Sequence, residues 1–185
     1  MAIHTCPFWC GYLLNCPFRK VSQNPRKILR PYVTAGMKVL DIGCAMGFFS
    51  LPLAEMVGPS GKVICVDVQE KMLKVLRRRA ADAGLAERIE TRHCQQSSLG
   101  LDDCDGSIDF AFVFAVVHEV SDVDHFFAEV AETLKPAAKL LFAEPKIHVL
   151  GRDFEHSLAI AQKHPLEIID RPKVPRARAA MFIRE

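Results

Sequence analysis

The first half of the chain carries two aspartates and a loop with two glycines, a combination that suits the binding of a nucleoside. Asp41, Gly43 and Gly47 lie in a loop after a short apolar run. Glycine permits a tight turn and lets a second molecule approach the backbone closely. Asp67 ends the next apolar run, about 20 residues beyond the loop, where a carboxylate can accept hydrogen bonds from the 2′ and 3′ hydroxyls of a ribose. The spacing indicates a cofactor that contains a nucleoside.

The same loop excludes two common nucleotide-binding patterns. It has no Lys-Ser or Lys-Thr after Gly47, so it is not a P-loop. Alanine at position 45 breaks the G-x-G-x-x-G pattern of dinucleotide-binding proteins. A nicotinamide-dependent oxidoreductase is therefore supported by the fold pattern alone and is the weaker alternative.

A second set of chemically useful residues follows the later strands. His118 and Glu119 come after the fourth predicted strand, and Glu144, Lys146 and His148 come after the fifth. In open α/β sheets, ligands bind beyond the carboxyl ends of the strands, which makes these residues candidates for a substrate site. A histidine titrates near neutral pH and can take a proton from a nucleophile. The alternative is that the His-Glu pair only caps a helix or orients the backbone.

Strands and helices alternate along the chain from Lys38 onward. The predicted strands are Lys38–Ile42, Lys62–Val66, Ile89–His93, Ile108–Phe114, Lys139–Ala143, Leu166–Asp170 and Ala177–Ile183. The predicted helices are Phe48–Val57, Glu70–Ala83, Asp122–Leu134 and about Phe154–Lys163. Five strands that alternate with helices predict a doubly wound α/β sheet, and the last two strands predict an antiparallel hairpin at one edge. The expected fold is a Rossmann-like, seven-stranded sheet, mostly parallel with an antiparallel last strand.

The composition is that of a folded globular protein. The chain has 185 residues, of which 50% are hydrophobic and 25% charged. Its longest apolar run, Phe110–Val117, is much shorter than the roughly 20 residues of a membrane-spanning helix. The first ten residues lack the basic start and apolar segment of a secretory signal. We therefore expect a cytoplasmic protein whose seven cysteines are reduced thiols.

The net charge of +2 is small, but basic residues are unevenly distributed. Six of them and no acidic residue precede Asp41, namely Arg19, Lys20, Arg26, Lys27, Arg30 and Lys38. Such an arm could attract an anionic substrate or a membrane surface, although a solvated helix face beside a linker is the simpler interpretation. A second basic stretch, Arg171–Arg178, is rich in proline and has no aromatic residues among its cations. It is predicted to be a solvated loop between two strands rather than an RNA contact.

Four segments carry a resemblance to a known family. V-L-D-I-G-C-A-M-G-F-F-S at 39–50, V-I-C-V-D at 63–67, S-I-D-F-A-F-V-F-A-V-V-H-E-V at 107–120 and L-K-P-A-A-K-L-L-F-A-E-P at 134–145 keep the order and spacing of its motifs. They resemble the first, second, fourth-strand and fifth-strand motifs of the class I S-adenosylmethionine-dependent methyltransferases. The resemblance covers about residues 24–185. It implies methyltransferase activity, S-adenosyl-L-methionine as cofactor and a seven-stranded sheet with an antiparallel last strand.

The resemblance also implies which residues bind the cofactor. Asp41 and Gly43 would lie by its methionine portion, and Asp67 would hold its ribose. Phe114 and Ala115 would form the floor of the site. The complete set that the resemblance implies is Asp41, Gly43, Cys44, Gly47, Asp67, Val68, Cys94, Gln95, Phe114 and Ala115.

Three features depart from the family pattern. Ala45 replaces a glycine, which costs on the order of 1 kcal/mol if its φ is positive. Gln95 replaces an acid and would meet the adenine amino group, and Ala137-Ala138 replace a Gly-Gly turn. None of these changes removes the ribose-binding carboxylate. A protein that binds the cofactor without catalysis is an alternative function.

Residues 1–35 are expected to form an amino-terminal extension, and 36–185 the cofactor-binding domain. In the resembled family such a segment often folds over the cofactor as a lid, and aromatic residues here could wall the acceptor site: Phe8, Trp9, Tyr12 and Phe18. Cys6, Cys10 and Cys16 have the spacing C-x3-C-x5-C, which matches neither structural zinc sites nor iron–sulfur runs. No metal site is therefore expected, and methylation of a metalloid held by these three thiolates is an alternative.

The expected catalytic residues are His118, Glu119 and His148, acting on a small-molecule acceptor. The Asn/Asp-Pro-Pro-aromatic motif of many enzymes that methylate amino groups of nucleic acids is missing at Phe114–Val117. Nucleic acid and membrane are therefore not the expected partners, and a homodimer is left open.

Overall fold

The computed structural model of the protein describes residues 23–185. These residues belong to two compact units, the amino-terminal unit up to Cys94 and the carboxyl-terminal unit from Gln95 onward. The predicted lid aromatics and the three amino-terminal cysteines lie outside the described residues.

The amino-terminal unit is built from three parallel strands and the helices that accompany them. The strands are β1 (Lys38–Ile42), β2 (Lys62–Asp67) and β3 (Ile89–His93), and the helices are α1 (Pro25–Leu29), α2 (Ser50–Val57) and α3 (Glu70–Asp82). In register, β1 pairs with β2 and β2 with β3, so that Leu40 lies beside Ile64 and Val63 beside Ile89. The near-continuous apolar sequences of β1 and β2 are buried, as is typical of parallel strands covered on both faces.

The first helix, α1, had no predicted bounds, although a solvated helix face was the simpler interpretation of basic residues that include its Arg26 and Lys27. Asn24 caps it by accepting a hydrogen bond from the Lys27 backbone, and Pro25 occupies the first turn, where a missing N–H costs nothing. Its apolar residues Ile28 and Leu29 are buried. An ordered helix therefore lies inside the segment that was expected to be an extension.

The helix α3 has the amphipathic pattern that the sequence predicts. Met72, Leu73 and Leu76 are buried. Gly84 follows the helix with φ 66°, and the Leu85 N–H reaches back to Ala80 O at 2.8 Å. This is the glycine-terminated helix end that the sequence indicates.

The carboxyl-terminal unit contains the remaining strands and two helices. The strands are β4 (Ile108–Phe114), β5 (Leu134–Pro145), β6 (Leu166–Asp170) and β7 (Ala177–Arg184), and the helices are α4 (Val123–Thr133) and α5 (Gly151–Ala161). β4 and β5 are parallel, whereas β7 runs antiparallel to both β5 and β6. Phe127, Phe142, Phe154 and Phe182 are fully buried in this unit.

The strand order of the seven-stranded sheet is β3-β2-β1-β4-β5-β7-β6. The predicted fold class, a Rossmann-like sheet that is mostly parallel with an antiparallel last strand, is confirmed. The predicted hairpin at the edge is formed by β6 and β7. Among residues 23–185, no helix combines the length and the hydropathy needed to cross a membrane.

Several boundaries differ from the prediction. β5 begins at Leu134 rather than Lys139, because Leu134 pairs with Ile108 before a register shift brings Lys139 beside Phe110. The helix α5 begins at Gly151, three residues before the expected start. Pairing across a bulge depends on the neighbouring strand, so a local sequence pattern does not reveal it.

Candidate functional site

The loop between β1 and α2 is held against the end of β2. Gly43 and Gly47 have φ values of 73° and 85°. The N–H groups of Gly43 and Cys44 both donate to Val66 O, at 2.8 and 3.2 Å. A Cβ on Gly47 would overlap Cδ1 of the buried Leu76, so both backbone conformation and packing require glycine there.

Asp67, the last residue of β2, fastens this loop with its side chain. Its Oδ2 accepts a hydrogen bond from the Ala45 N–H at 2.9 Å, and its Oδ1 accepts one from the Gln69 N–H at 2.8 Å. A carboxylate offers about four lone-pair sites, so each oxygen keeps one acceptor direction for another donor. Burial raises the pKa of Asp67, while these hydrogen bonds and the charge of His93 partly offset that rise.

Ala45 has φ 47°, the left-handed conformation that favours glycine. Because φ is positive, the alanine that replaces the family's glycine here costs on the order of 1 kcal/mol in backbone strain. The Ala45 N–H nevertheless reaches Asp67, so the substitution leaves the contact between loop and carboxylate intact.

Asp41 is the second buried acid of the amino-terminal unit, with 2% of its surface exposed. Its Oδ2 accepts a hydrogen bond from Ser50 Oγ at 2.6 Å. Burial raises the pKa of Asp41 to about 7, the hydrogen bond from Ser50 opposes the rise, and the charge of Asp67 adds to it. A cation bound next to Asp41 would favour the ionised carboxylate.

The other candidates of this unit are Cys44 in the loop, Val68 beside Asp67, and Cys94 directly after β3. Cys94 is buried, and its N–H donates to Asp67 O at 3.2 Å. Val68 O lies 3.0 Å from Nε2 of His93. Burial and the neighbouring Cys65 raise the pKa of the Cys44 thiol, which makes it a poor nucleophile.

Three predicted cofactor residues belong to the carboxyl-terminal unit. Gln95 is exposed, and its N–H donates to Ser98 O at 3.1 Å. Phe114 is buried at the end of β4. Ala115 follows with φ 61°, and its N–H donates to Ala143 O at 2.9 Å.

The predicted catalytic residues His118, Glu119 and His148 form one group with Glu144, which we call the His118 cluster. Nδ1 of His118 lies 2.7 Å from Oε2 of Glu144, and the His118 backbone N–H donates to Oε1 of Glu144 at 3.3 Å. The rings of His118 and His148 stack with centroids 5.8 Å apart. Nε2 of His118 lies 3.9 Å from Oε1 of Glu119.

Glu144 sets the protonation behaviour of His118. Burial alone would lower the pKa of His118, but the hydrogen bond and charge of Glu144, with the charge of Glu119, raise it overall. Because the carboxylate accepts the Nδ1 hydrogen, the neutral ring presents the lone pair of Nε2, and the His118 side chain is 26% exposed. The cluster has the composition of a general base with an orienting acid.

The contact between Glu144 and His118 was not predicted, although the sequence analysis placed both residues at the strand ends, together with Glu119, Lys146 and His148. The available signal was a carboxylate at the end of an apolar strand, where ligands of this fold class bind. The residues are 26 positions apart, so their pairing depends on β4 and β5 lying side by side. Within residues 23–185, no three or more His, Cys, Asp or Glu side chains are grouped to hold a metal ion.

A family model described as a methyltransferase domain matches residues 39–137. The chain is 31% identical over 126 residues to the ubiquinone/menaquinone biosynthesis C-methyltransferase UbiE of Hahella chejuensis, covering 66% of this chain and 50% of that protein. The chain therefore spans about half the length of the curated relatives it matches.

The fold is also shared with solved structures. A SAM dependent methyltransferase from Aquifex aeolicus has a TM-score of 0.87 and 25% identity, and the match covers 98% of this chain and 100% of that one. A SAM-dependent O-methyltransferase from Thermotoga maritima has a TM-score of 0.68 and 22% identity, covering 87% and 64%. The second likeness concerns the fold alone.

Proposed function

The chain belongs to the class I S-adenosylmethionine-dependent methyltransferases, and from this premise we propose that it transfers the methyl group of S-adenosylmethionine to a small-molecule acceptor. The observation that carries the proposal is Asp67. This buried carboxylate at the end of β2 holds the glycine loop and keeps an acceptor direction on each oxygen.

The residues of the amino-terminal unit suit the cofactor of this family. The two remaining acceptor directions of Asp67 match the two hydroxyls of a ribose. Asp41, whose pKa is about 7, can ionise next to the ammonium group of the methionine portion. When bound, S-adenosylmethionine supplies an electrophilic methyl group on a sulfonium.

The His118 cluster supports a role in removing a proton from the acceptor. Nε2 of His118 would take the proton, and the negative charge of Glu144 would stabilise the imidazolium that forms. Glu144 acts through His118 and is a positioning residue: it fixes the ring through Nδ1 and the backbone through the N–H of the same residue.

The acceptor that this arrangement favours has a nucleophilic atom bearing a removable proton. The relative from Hahella chejuensis is a C-methyltransferase and the structural neighbour from Thermotoga maritima is an O-methyltransferase, so the acceptor atom varies among proteins of this fold. A base is useful for an acidic C–H or an O–H and unnecessary for an atom that already carries a free lone pair and no proton.

Parallel calorimetric titrations test the cofactor assignment. We expect S-adenosylmethionine and S-adenosylhomocysteine to bind with micromolar affinity and NAD not to bind. Formation of S-adenosylhomocysteine on addition of a small-molecule metabolite extract would then establish turnover, with Asp67→Ala, at a subsaturating cofactor concentration, as the control with weakened cofactor binding. Binding of NAD instead would overturn the proposal. Cofactor binding without turnover on fractionated extracts would support the non-catalytic alternative.

Substitution Glu144→Gln tests the positioning role. Without the carboxylate charge the pKa of His118 falls, because the charge and hydrogen bond of Glu144 raise it. The rise of the pH–rate profile should therefore move to lower pH, together with a lower maximal rate. A purely structural role would lower the rate at every pH without moving the profile.

A further inference from the structure

A second concave site lies in the carboxyl-terminal unit, and its lining is strongly cationic. The basic cavity has a volume of about 600 Å³ and lies between residues of α5, the segment after β5 and the loop that leads into β7. Its cationic side chains are Lys146, Arg171, Lys173, Arg176 and Arg178. Among its described lining residues, Glu155 is the single carboxylate.

Most of this positive charge is not neutralised. Arg171 pairs with Glu155 through two hydrogen bonds, Nη1 to Oε1 at 2.5 Å and Nη2 to Oε2 at 2.8 Å. Glu155 is therefore already paired, and the described lining residues offer no second carboxylate to the other four cations. Nη1 of Arg178 donates to Val149 O at 2.8 Å, which orients the guanidinium without cancelling its charge.

Three of the lining cations are free to bind a ligand. Within residues 23–185, the side chains of Lys146, Lys173 and Arg176 form neither an ion pair nor a hydrogen bond. All three residues are exposed. Like charges collected around one concavity repel each other, so an anion that enters it relieves the repulsion and gains charge-assisted hydrogen bonds.

The loop that supplies these cations is conformationally restricted. Pro172 and Pro175 fix their own φ angles and limit the residues that precede them. Arg176 adopts φ 61°, and its carbonyl accepts the Lys146 N–H at 3.0 Å, which joins the loop to the end of β5. A restricted loop loses little entropy when a ligand binds.

We propose that the basic cavity binds a small organic anion with two or more negative charges, of the phosphate-ester or polycarboxylate class. Its volume lies within the range of about 300–1,000 Å³ typical of small-molecule sites. Guanidinium and ammonium groups are the side chains that recognise phosphate and carboxylate oxygens. A concave site with its cations on several elements suits a compact anion better than an extended polymer or a membrane surface.

The cavity and the His118 cluster share the carboxyl end of β5, where Glu144 pairs in register with Arg178 of β7, a lining residue of the cavity. Lys146 lies two residues beyond Glu144, whose carboxylate binds His118. The bound anion would therefore stand next to the proposed base, and we infer that it is the anionic group of the methyl acceptor. This second step rests on the proposed function, whereas anion binding itself does not.

Calorimetric titration of the full chain with inorganic pyrophosphate and with citrate tests the site, at constant ionic strength maintained with sodium chloride. We expect at least one of them to bind with a Kd of about 1 mM or tighter. The preferred probe distinguishes the phosphate class from the carboxylate class. S-adenosylhomocysteine titrated into the same sample reports the cofactor site separately, so a failure of one proposal is distinguishable from a failure of the other.

The double variant Lys173→Gln/Arg176→Gln should weaken anion binding at least tenfold and leave S-adenosylhomocysteine binding unchanged. The matched control Lys71→Gln/Lys74→Gln removes two exposed cations from α3 and should bind the anion like the unmodified chain. The proposal is overturned if neither probe binds, or if both double variants lose affinity equally. Binding to phosphatidylserine vesicles or to single-stranded RNA, with no binding of either soluble probe, would also overturn it in favour of a macromolecular partner.

Discussion

The loop between β1 and α2 with the carboxylate that fastens it, called here the Asp67 loop, and the His118 cluster both rely on buried carboxylates, but the surroundings of these carboxylates differ electrostatically. Asp41 and Asp67 are surrounded by backbone N–H groups and a hydroxyl, and burial raises the pKa of both. Glu144 is instead paired with an imidazole and raises the pKa of that partner. The first arrangement favours ligands that bring positive charge or hydroxyl donors, and the second favours uptake of a proton. Cofactor binding and proton transfer should therefore respond to different substitutions.

His118→Ala should have the largest effect, and this effect should be on turnover and not on cofactor affinity. Loss of a general base typically lowers a rate by about 10²–10⁴-fold. Turnover, measured as S-adenosylhomocysteine formation, should fall by that amount while cofactor affinity stays within about twofold. His125→Ala is the matched control, because His125 is an exposed histidine of α4 outside the cluster. Unchanged turnover in His118→Ala would remove His118 from the mechanism.

Asp67→Ala should act mainly on cofactor affinity. We expect S-adenosylmethionine binding to weaken by roughly 1.5–3 kcal/mol, the range for charge-assisted hydrogen bonds. Calorimetry gives the affinity. Thermal unfolding checks that the variant remains folded after losing the hydrogen bonds from the Ala45 and Gln69 N–H groups to Asp67. Asp109→Ala serves as the control, since that carboxylate forms an ion pair with the exposed Lys135. Full affinity in Asp67→Ala would contradict the placement of the ribose.

A pH dependence should distinguish Asp41 from Asp67. The folded-state pKa of Asp41 is about 7, above its ordinary value of 3.8. The protonated carboxyl therefore stabilises the fold fully below about pH 4, and this contribution is lost as the pH rises through 7. Binding of a cationic group reverses the preference, so cofactor affinity should rise about tenfold from pH 6 to pH 8.

Asp41→Asn removes the titrating group and should flatten both curves, the free energy of unfolding against pH and the affinity against pH. Calorimetry at several pH values, in buffers of different ionisation enthalpy, also counts the protons released on binding. If Asp41→Asn retains the full pH dependence of cofactor affinity, the dependence belongs to Asp67, whose pKa is also raised.

The sequence predicts the amino-terminal unit well because its signals are local. The bounds of β1 and β3 agree with the prediction, and the loop and Asp67 follow directly from the strand ends. The sequence also places the four residues of the His118 cluster at strand ends, but the contacts among them required the tertiary structure. Glu144 meets His118 only because β4 and β5 are adjacent, and the shift between Ile108 and Phe110 that lengthens β5 has no local signature.

The basic cavity illustrates the same limit. The sequence predicts residues 171–178 to be a basic loop between two strands, and the structure places them between β6 and β7. That the loop closes a cavity with Lys146 follows from the antiparallel pairing of β5 and β7, which brings Pro145 beside Ala177. A run of cations in the sequence does not show whether its side chains surround a space.

The smallest expected effect concerns two strained alanines, one in each region of the chain. Ala45 has φ 47° in the Asp67 loop, and Ala137 has φ 63° at the exposed start of β5. Replacing alanine by glycine at a positive φ removes a steric cost on the order of 1 kcal/mol, which exceeds the added entropy of the unfolded chain. The melting temperatures of Ala45→Gly and Ala137→Gly, measured by thermal unfolding, should each rise by about 2–4 °C.

A third substitution gives the opposite sign and makes the comparison decisive. Ala81→Gly places glycine in the last turn of the helix α3 and should lower stability, by at most the roughly 0.5–1 kcal/mol that glycine costs in a helix interior. If the methyl group of Ala45 has no role beyond strain, Ala45→Gly gains as much stability as Ala137→Gly and leaves S-adenosylmethionine affinity unchanged. A loss of stability in Ala45→Gly would mean that this methyl packs usefully in the loop. A gain in affinity would show that strain at Ala45 opposes the loop conformation in which Asp67 holds the ribose.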